Sequence, residues 1–186
     1  MPAIKELAED KHWRVRLAIV EHIPLLASQL GPEFFQDKLG PQCMKSLEDQ
    51  VASIRDATAH TLAKIGKEFG PEWTKEHLVP RIISMIKNTH YLYRMTVLFT
   101  ISLLASIVPQ NVLINNMLPV IMSAAKDKVP NVKFNVCKML ERIAPLLDRS
   151  VAERSVKPCL AELMEDADID VRFYARQAMV VAGWKA

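Results

Sequence analysis

Glycine is scarce in this chain, with 5 residues in 186. That argues against phosphate-cradling loops and against a turn-rich β fold. Aromatic residues make up only 6%. The three cysteines, Cys43, Cys137 and Cys159, form no CxxC pair, and an odd count without spacing logic suits a reducing compartment. The five histidines, His12, His22, His60, His77 and His90, fall in no HExxH or Cys/His cluster, and no Gly-x-Ser-x-Gly occurs. Glu72 and His77 lack a second ligand at a useful spacing. A metal site, a cofactor and an enzymatic activity are therefore not expected. The net charge of +3 is small and its acids and bases are interleaved, which does not point to nucleic acid. Residues 1–10 contain Lys5, Glu6 and Glu9 and no apolar run, so no signal peptide is read there.

One stretch, Met95 to Ala125, has no charge at all. Its apolar part, Met95 to Val108, is too short to span a bilayer and is interrupted at Pro109. Two consecutive buried helices are the better reading, and no membrane association is expected.

What the chain does have is a period of 39 residues. Asp10, Asp49, Asn88, Asp127 and Asp166 keep it. Six positions after each comes a base: Arg16, Arg55, Arg94, Lys133 and Arg172. Pro2, Pro41, Pro80, Pro119 and Pro158 form a third column in the same register. Such a period belongs to two-helix solenoid repeats. Apolar columns define the second helix of each unit: Val15/Ile54/Tyr93/Val132/Val171, Ile23/Leu62/Ile101/Leu140/Met179, Leu26/Ile65/Leu104/Ile143/Ala182 and Leu30/Phe69/Val108/Leu147. Their spacing places them on one helix face. A column of small residues (Ala27, Gly66, Ala105, Ala144, Gly183) allows a neighbouring helix close approach.

These columns predict an all-α solenoid of about five two-helix units. They run over approximately 1–31, 32–70, 71–109, 110–148 and 149–186. The first unit is read as truncated, so the chain is expected to be a piece of a longer array with a natural C-terminal end. The periodic proline lies inside each first helix. There it removes a donor and clashes with the preceding turn, at a cost of about 3 kcal/mol. A kink in every first helix is the expected result.

The Asp and base columns admit two uses. They can bind a charged partner, or they can form a structural ladder between neighbouring turns. The regular spacing favours the ladder, comprising Asp10, Arg16, Asp49, Arg55, Asn88, Arg94, Asp127, Lys133, Asp166 and Arg172. The turn tips, by contrast, differ from unit to unit. Trp13, Ala52, Tyr91, Pro130 and Ile169 occupy one column and Arg14, Ser53, Leu92, Asn131 and Asp170 the next. Aromatic residues on a turn tip suit an interface anchor. The alternative is that they fold back onto the next turn. Phe134 and Phe173 either face a groove or pack between units. The column Glu21, His60, Phe99, Lys138 and Gln177 reads as an ordinary solvated surface.

The two-helix unit, the first-helix proline, the turn Asp and the Val-Arg six residues on resemble HEAT repeats. Glu21 to Phe35 (EHIPLLASQLGPEFF), His90 to Thr96 (HYLYRMT), Met117-Leu118-Pro119, Asn131 to Val136 (NVKFNV), Val156-Lys157-Pro158 and Asp168 to Ala175 (DIDVRFYA) are similar to the C-terminal repeats of the scaffolding A subunits of type 2A serine/threonine protein phosphatases. The resemblance implies a non-catalytic scaffold whose turn ridge holds a phosphatase catalytic subunit. The partner-binding residues it implies are Trp13, Arg14, Tyr91, Leu92, Pro130, Asn131, Ile169 and Asp170. It places the regulatory subunit on more N-terminal repeats, absent here. Asn88, Lys133 and the bulky Trp13-Arg14-Val15 turn depart from the family pattern.

The expected state is monomeric, without nucleic acid, in the cytoplasm and also the nucleus. A transport receptor or another HEAT scaffold is the alternative. A nucleic-acid-binding HEAT protein is weaker, because no basic stripe with stacking aromatics is present. In a nearly one-dimensional array the first unit should open most easily. Amide hydrogen exchange over residues 3–12 should be faster than over 97–106, and equal protection would overturn the unit boundaries.

Overall fold

The computed structural model describes residues 2–185. Every regular element among them is helical. The first-type helices are α1 (Pro2–Ala8), α3 (Gly40–Ser46), α5 (Val79–Ser84), α7 (Leu118–Ala124) and α9 (Lys157–Leu163). The second-type helices are α2 (Trp13–Phe34), α4 (Ala52–Phe69), α6 (Tyr91–Leu104), α8 (Pro130–Ile143) and α10 (Ile169–Val181). Each second helix packs on its neighbours of the same kind, in the order α2, α4, α6, α8, α10, and on the first helix just before it. This is a helical-repeat solenoid. Because the main contacts join adjacent elements, its stability is approximately a sum of unit and nearest-neighbour contributions.

The core follows the apolar columns. Ile23, Leu62, Ile101, Leu140 and Met179 are buried, as are Ile65, Leu104 and Ile143. From the first helices come Leu39, Cys43, Leu47, Leu78, Ile82, Met117, Ile121, Val156 and Leu160. The columns fail in one place: Leu30 is 51% exposed. Gly31 immediately follows, with φ 84° and ψ 172°, and breaks α2 there. Gly70 makes the same turn after Phe69, which nevertheless packs on the core, so the exposure of Leu30 is not due to the turn. Leu7 in α1 is 41% exposed, whereas Leu47 and Cys43 in the corresponding region of the next unit are fully buried. Two large aromatic residues buried here belong to none of the columns. Phe35, next to the expected Phe34, stacks edge-on against Phe69 and Trp73 with centroids 6.3 and 5.7 Å away. Trp184 is buried beside the Arg149 guanidinium, 5.5 Å from its ring.

The prolines act differently from a simple kink. Four of them are preceded by a π-helical turn: Phe35–Leu39, Thr74–Leu78, Leu113–Met117 and Ala152–Val156. The amide just before each proline, on Gly40, Val79, Leu118 and Lys157, donates to the carbonyl five residues back. A wider turn moves away the carbonyl that the pyrrolidine ring would strike, and it re-pairs the backbone that the missing N–H leaves open. The expected clash is thus relieved within the helix. The Pro2 side chain lies outside the described residues.

Two glycines are required for different reasons. Gly70 ends α4 at φ 95°, with nothing near its missing Cβ. A Cβ on Gly66 would lie 2.9 Å from Thr74 Oγ1, which donates to the Gly66 and Gly70 carbonyls. Gly70→Ala should cost about 1–3 kcal/mol through backbone strain alone. Gly66→Ala should cost about 1–3 kcal/mol through displacement of buried Thr74. Gly66→Ala with Thr74→Ala should recover part of that loss, whereas Thr74→Ala should not rescue Gly70→Ala. Urea unfolding of the four variants checks this.

Candidate functional site: the ridge of turns

Each turn between a first and a second helix is organised by its periodic Asp or Asn. The side-chain oxygen accepts the amide two residues on: Asp10 from His12 (2.7 Å), Asp49 from Val51 (2.9 Å), Asn88 from His90 (2.8 Å), Asp127 from Val129 (2.9 Å) and Asp166 from Asp168 (3.0 Å). This satisfies an amide near the start of the second helix that has no partner within it. The base six residues on then reaches back. Arg16, Arg55, Arg94 and Arg172 each donate Nη1 to the carbonyl of the periodic residue, at 2.7 to 3.0 Å. Asx oxygen and guanidinium together fix the turn from inside.

The same residues join one turn to the next. Arg16 makes a two-point contact with Asp49, Nε to Oδ2 at 2.8 Å and Nη2 to Oδ1 at 3.0 Å. Arg94 does the same with Asp127 at 2.8 and 2.9 Å. Lys133 pairs with Asp166. One rung of the expected ladder is missing: Arg55 does not pair with Asn88. Asn88 has no charge to attract it, and its amide Nδ2 donates instead to Glu48 Oε1 at 2.6 Å. Arg55 turns inward to Thr96 Oγ1 at 3.2 Å. Arg172 holds its own turn through the Asp166 and Ala167 carbonyls. Asp10 is engaged by the His12 ring at 2.9 Å.

These carboxyls are held below their ordinary value. For Asp49, Asp127 and Asp166, burial pushes upward. Hydrogen bonds from the paired base and from the turn amide, together with nearby positive charge, outweigh it. The Asp49 contact in turn raises Arg16.

The turn tips are unlike one another in environment as well as identity. Trp13 is half-buried and lies beneath its own neighbour, with the Arg14 guanidinium 4.5 Å from the ring centre. Tyr91 is half-buried, stacks on His90 at 5.6 Å and also packs on the core. Leu92 and Pro130 are half-buried, and Asn131 and Asp170 are exposed. Ile169 is 70% exposed. On the helices behind, Phe134 packs on Tyr174 at 5.5 Å, while Phe173 is 59% exposed. Those two equivalent positions thus differ: Phe134 meets Tyr174 of the next second helix, and Phe173 is largely open. Among the described residues no group of three His, Cys, Asp or Glu side chains is placed to hold a metal. No described helix is long and apolar enough to cross a membrane.

Fold and ridge define a helical-repeat protein, a stack of helix pairs with an edge of turns. The curated proteins to which this chain is similar are more particular. It is 49% identical over 53 residues to the PP2A 65 kDa regulatory subunit of Drosophila melanogaster. Over a stretch of the same length it is 46% identical to the human A subunit, beta isoform. It is 54% identical over 51 residues to the alpha isoform of Arabidopsis thaliana. These stretches are 27 to 28% of this chain and 9% of each relative. No protein-family model matches. Among solved structures, Cex1p matches 97% of this chain and 34% of its own, with TM-score 0.71 and 16% identity. A designed armadillo repeat protein in complex with the peptide (KR)4 matches 97% and 80%, with TM-score 0.55 and 17% identity. At those identities the likeness is one of fold.

Acid should dismantle the rungs. Carboxyls depressed in the folded state contribute stability that is complete above the ordinary aspartate value of 3.8. That stability is lost as pH falls from there through the depressed values. Asp127→Asn should cost about 1.5–3 kcal/mol near neutral pH and flatten the pH dependence below pH 4. Urea titrations of parent and variant at several pH values read both effects, and parallel pH curves would remove the rung from the stability argument.

Proposed function

We propose that this chain is a non-catalytic scaffold that docks the catalytic subunit of a type 2A serine/threonine phosphatase along its turn ridge. The reading is carried by the similarity to PP2A 65 kDa regulatory subunits, on a fold that offers an edge of turns with dissimilar tips. Its mechanism is positional. The Asp–base rungs fix the spacing of the turns, and Trp13, Arg14, Tyr91, Leu92, Pro130, Asn131, Ile169 and Asp170 meet the partner. A ridge already ordered by its rungs has fewer side chains and turns left to order on binding, which favours affinity. Any metal chemistry belongs to the docked enzyme. Regulatory subunits are held by other repeats of the assembled scaffold, and the site of action is the cytoplasm with access to the nucleus.

Ile169 has the most exposed apolar side chain among these residues, and Trp13 is the largest side chain of the group. Trp13→Ala and Ile169→Ala should each weaken binding of a type 2A catalytic subunit by about 1–3 kcal/mol, the range of interface anchors. Their unfolding midpoints should stay close to the parent's. Tyr91→Ala should lose stability as well, since its ring packs on the core. Calorimetric titration with the purified catalytic subunit decides. If the parent chain shows no binding, the docking proposal fails. If both variants bind like the parent, the ridge assignment fails.

A further inference from the structure

A second surface lies away from the turn ridge, between α6 and α8. Met95, Leu98, Phe99 and Ser102 form one wall, and Asn135, Lys138, Met139 and Arg142 the other. No first-helix residue contributes. The cleft is small, about 70 Å³, room for the tip of one aliphatic side chain. Its floor is apolar: Leu98 and Met139 are buried and Met95 and Phe99 are half-buried. The thioethers of Met95 and Met139 are adaptable, polarisable contacts of the kind used on peptide-binding surfaces.

The charge at its rim has one sign. Lys138 and Arg142 pair with no carboxylate among the described residues, whereas the rung bases Arg16, Arg94 and Lys133 do. Lys138 is held over Tyr174 and Phe134, its Nζ at 4.2 and 5.0 Å from the ring centres. Glu141, the nearest acid in sequence, accepts Nε2 of Gln177 at 3.3 Å and does not line the cleft. Two polar neighbours are internally satisfied: Ser102 donates to the Phe99 carbonyl and Asn135 to the Asn131 carbonyl. The groove between α2 and α4 has the opposite character, with Glu21 and Asp56 among its lining residues. Lys138 stands three repeats along the column from Glu21. This column therefore changes from acidic Glu21 to basic Lys138 along the array, passing through the uncharged Phe99 of α6.

We propose that the α6–α8 cleft is a docking site for an acidic protein segment carrying one aliphatic anchor. The anchor enters between Met95, Phe99 and Met139, and carboxylates on either side of it meet Lys138 and Arg142. Opposite charge on the two grooves rejects the same segment at α2–α4, so selection comes from repulsion as well as attraction. This site is independent of catalytic-subunit docking on the ridge.

The probe is a fluorescein-labelled peptide, Glu-Glu-Leu-Glu-Glu, titrated against the whole chain by anisotropy. Its leucine-to-serine and all-lysine-flanked versions serve as controls. The parent should bind the acidic peptide weakly, with affinity falling as salt rises. Lys138→Glu with Arg142→Glu should weaken binding at least tenfold, without change in helical circular dichroism. Glu21→Lys with Asp56→Lys should leave cleft binding within about twofold. In methyl spectra the peptide should shift Met95 and Met139 and leave Ile169 unmoved. Four results would overturn the proposal: no binding by the parent, equal binding by the Lys138/Arg142 variant, equal binding of the lysine-flanked peptide, or equal binding of the serine peptide. The last would make the surface a general polyanion binder. Loss of ridge binding in Trp13→Ala with intact peptide binding separates the two surfaces.

Discussion

One contact does two jobs in this molecule: a turn carboxylate accepts the amide that opens its own second helix and the base that projects from the preceding one. Arg16 with Asp49, Arg94 with Asp127, and Lys133 with Asp166 repeat the arrangement. The carboxylate is shielded but not removed from water, so its desolvation is moderate and is offset by charge-assisted hydrogen bonds. Local helix initiation and the offset between repeats become a single condition. A turn that forms incorrectly loses its neighbour, and a displaced neighbour loosens the turn.

The apolar layers supply the bulk of the stabilisation, and the rungs specify how the layers stack. Leu and Ile columns would tolerate sliding of one second helix along the next, since hydrophobic contact is non-directional. A two-point guanidinium–carboxylate contact does not tolerate it, because both oxygens must be met in one plane. The ridge therefore has a defined spacing from which partner residues can project, while the faces of α6 and α8 are free to carry a different chemistry. Ridge and cleft are read by different elements of the same unit.

Much of this was legible in the sequence because repetition averages out local ambiguity. Five copies of Asp or Asn, base and proline set the register, and the Ile23 column marked the buried face. The failures have physical causes. Leu30 matched its column, but it lacks the aromatic partners that Phe35 and Trp73 give the equivalent Phe69. Asn88 matched its column in size and hydrogen-bonding pattern, yet without charge it could not hold Arg55 and paired with Glu48. The prolines were visible and their accommodation was not, because a π turn leaves no residue signature beyond the proline itself. Trp13 and Ile169 stood out as unlike neighbours in one column, but only coordinates reveal that Arg14 covers the first while the second is largely open. The α6–α8 cleft was hidden because its lining alternates between two helices 39 residues apart, and Lys138 and Phe99 looked like ordinary surface in either helix alone.

The missing rung has a consequence for the response to salt. The α2–α4, α6–α8 and α8–α10 joints are each closed along the ridge by an ion pair. The α4–α6 joint is closed instead by the neutral Asn88 amide donating to Glu48 and by Arg55 reaching a threonine hydroxyl. Salt screens the attraction between opposite charges, so it bears on three joints of the ridge more than on the fourth.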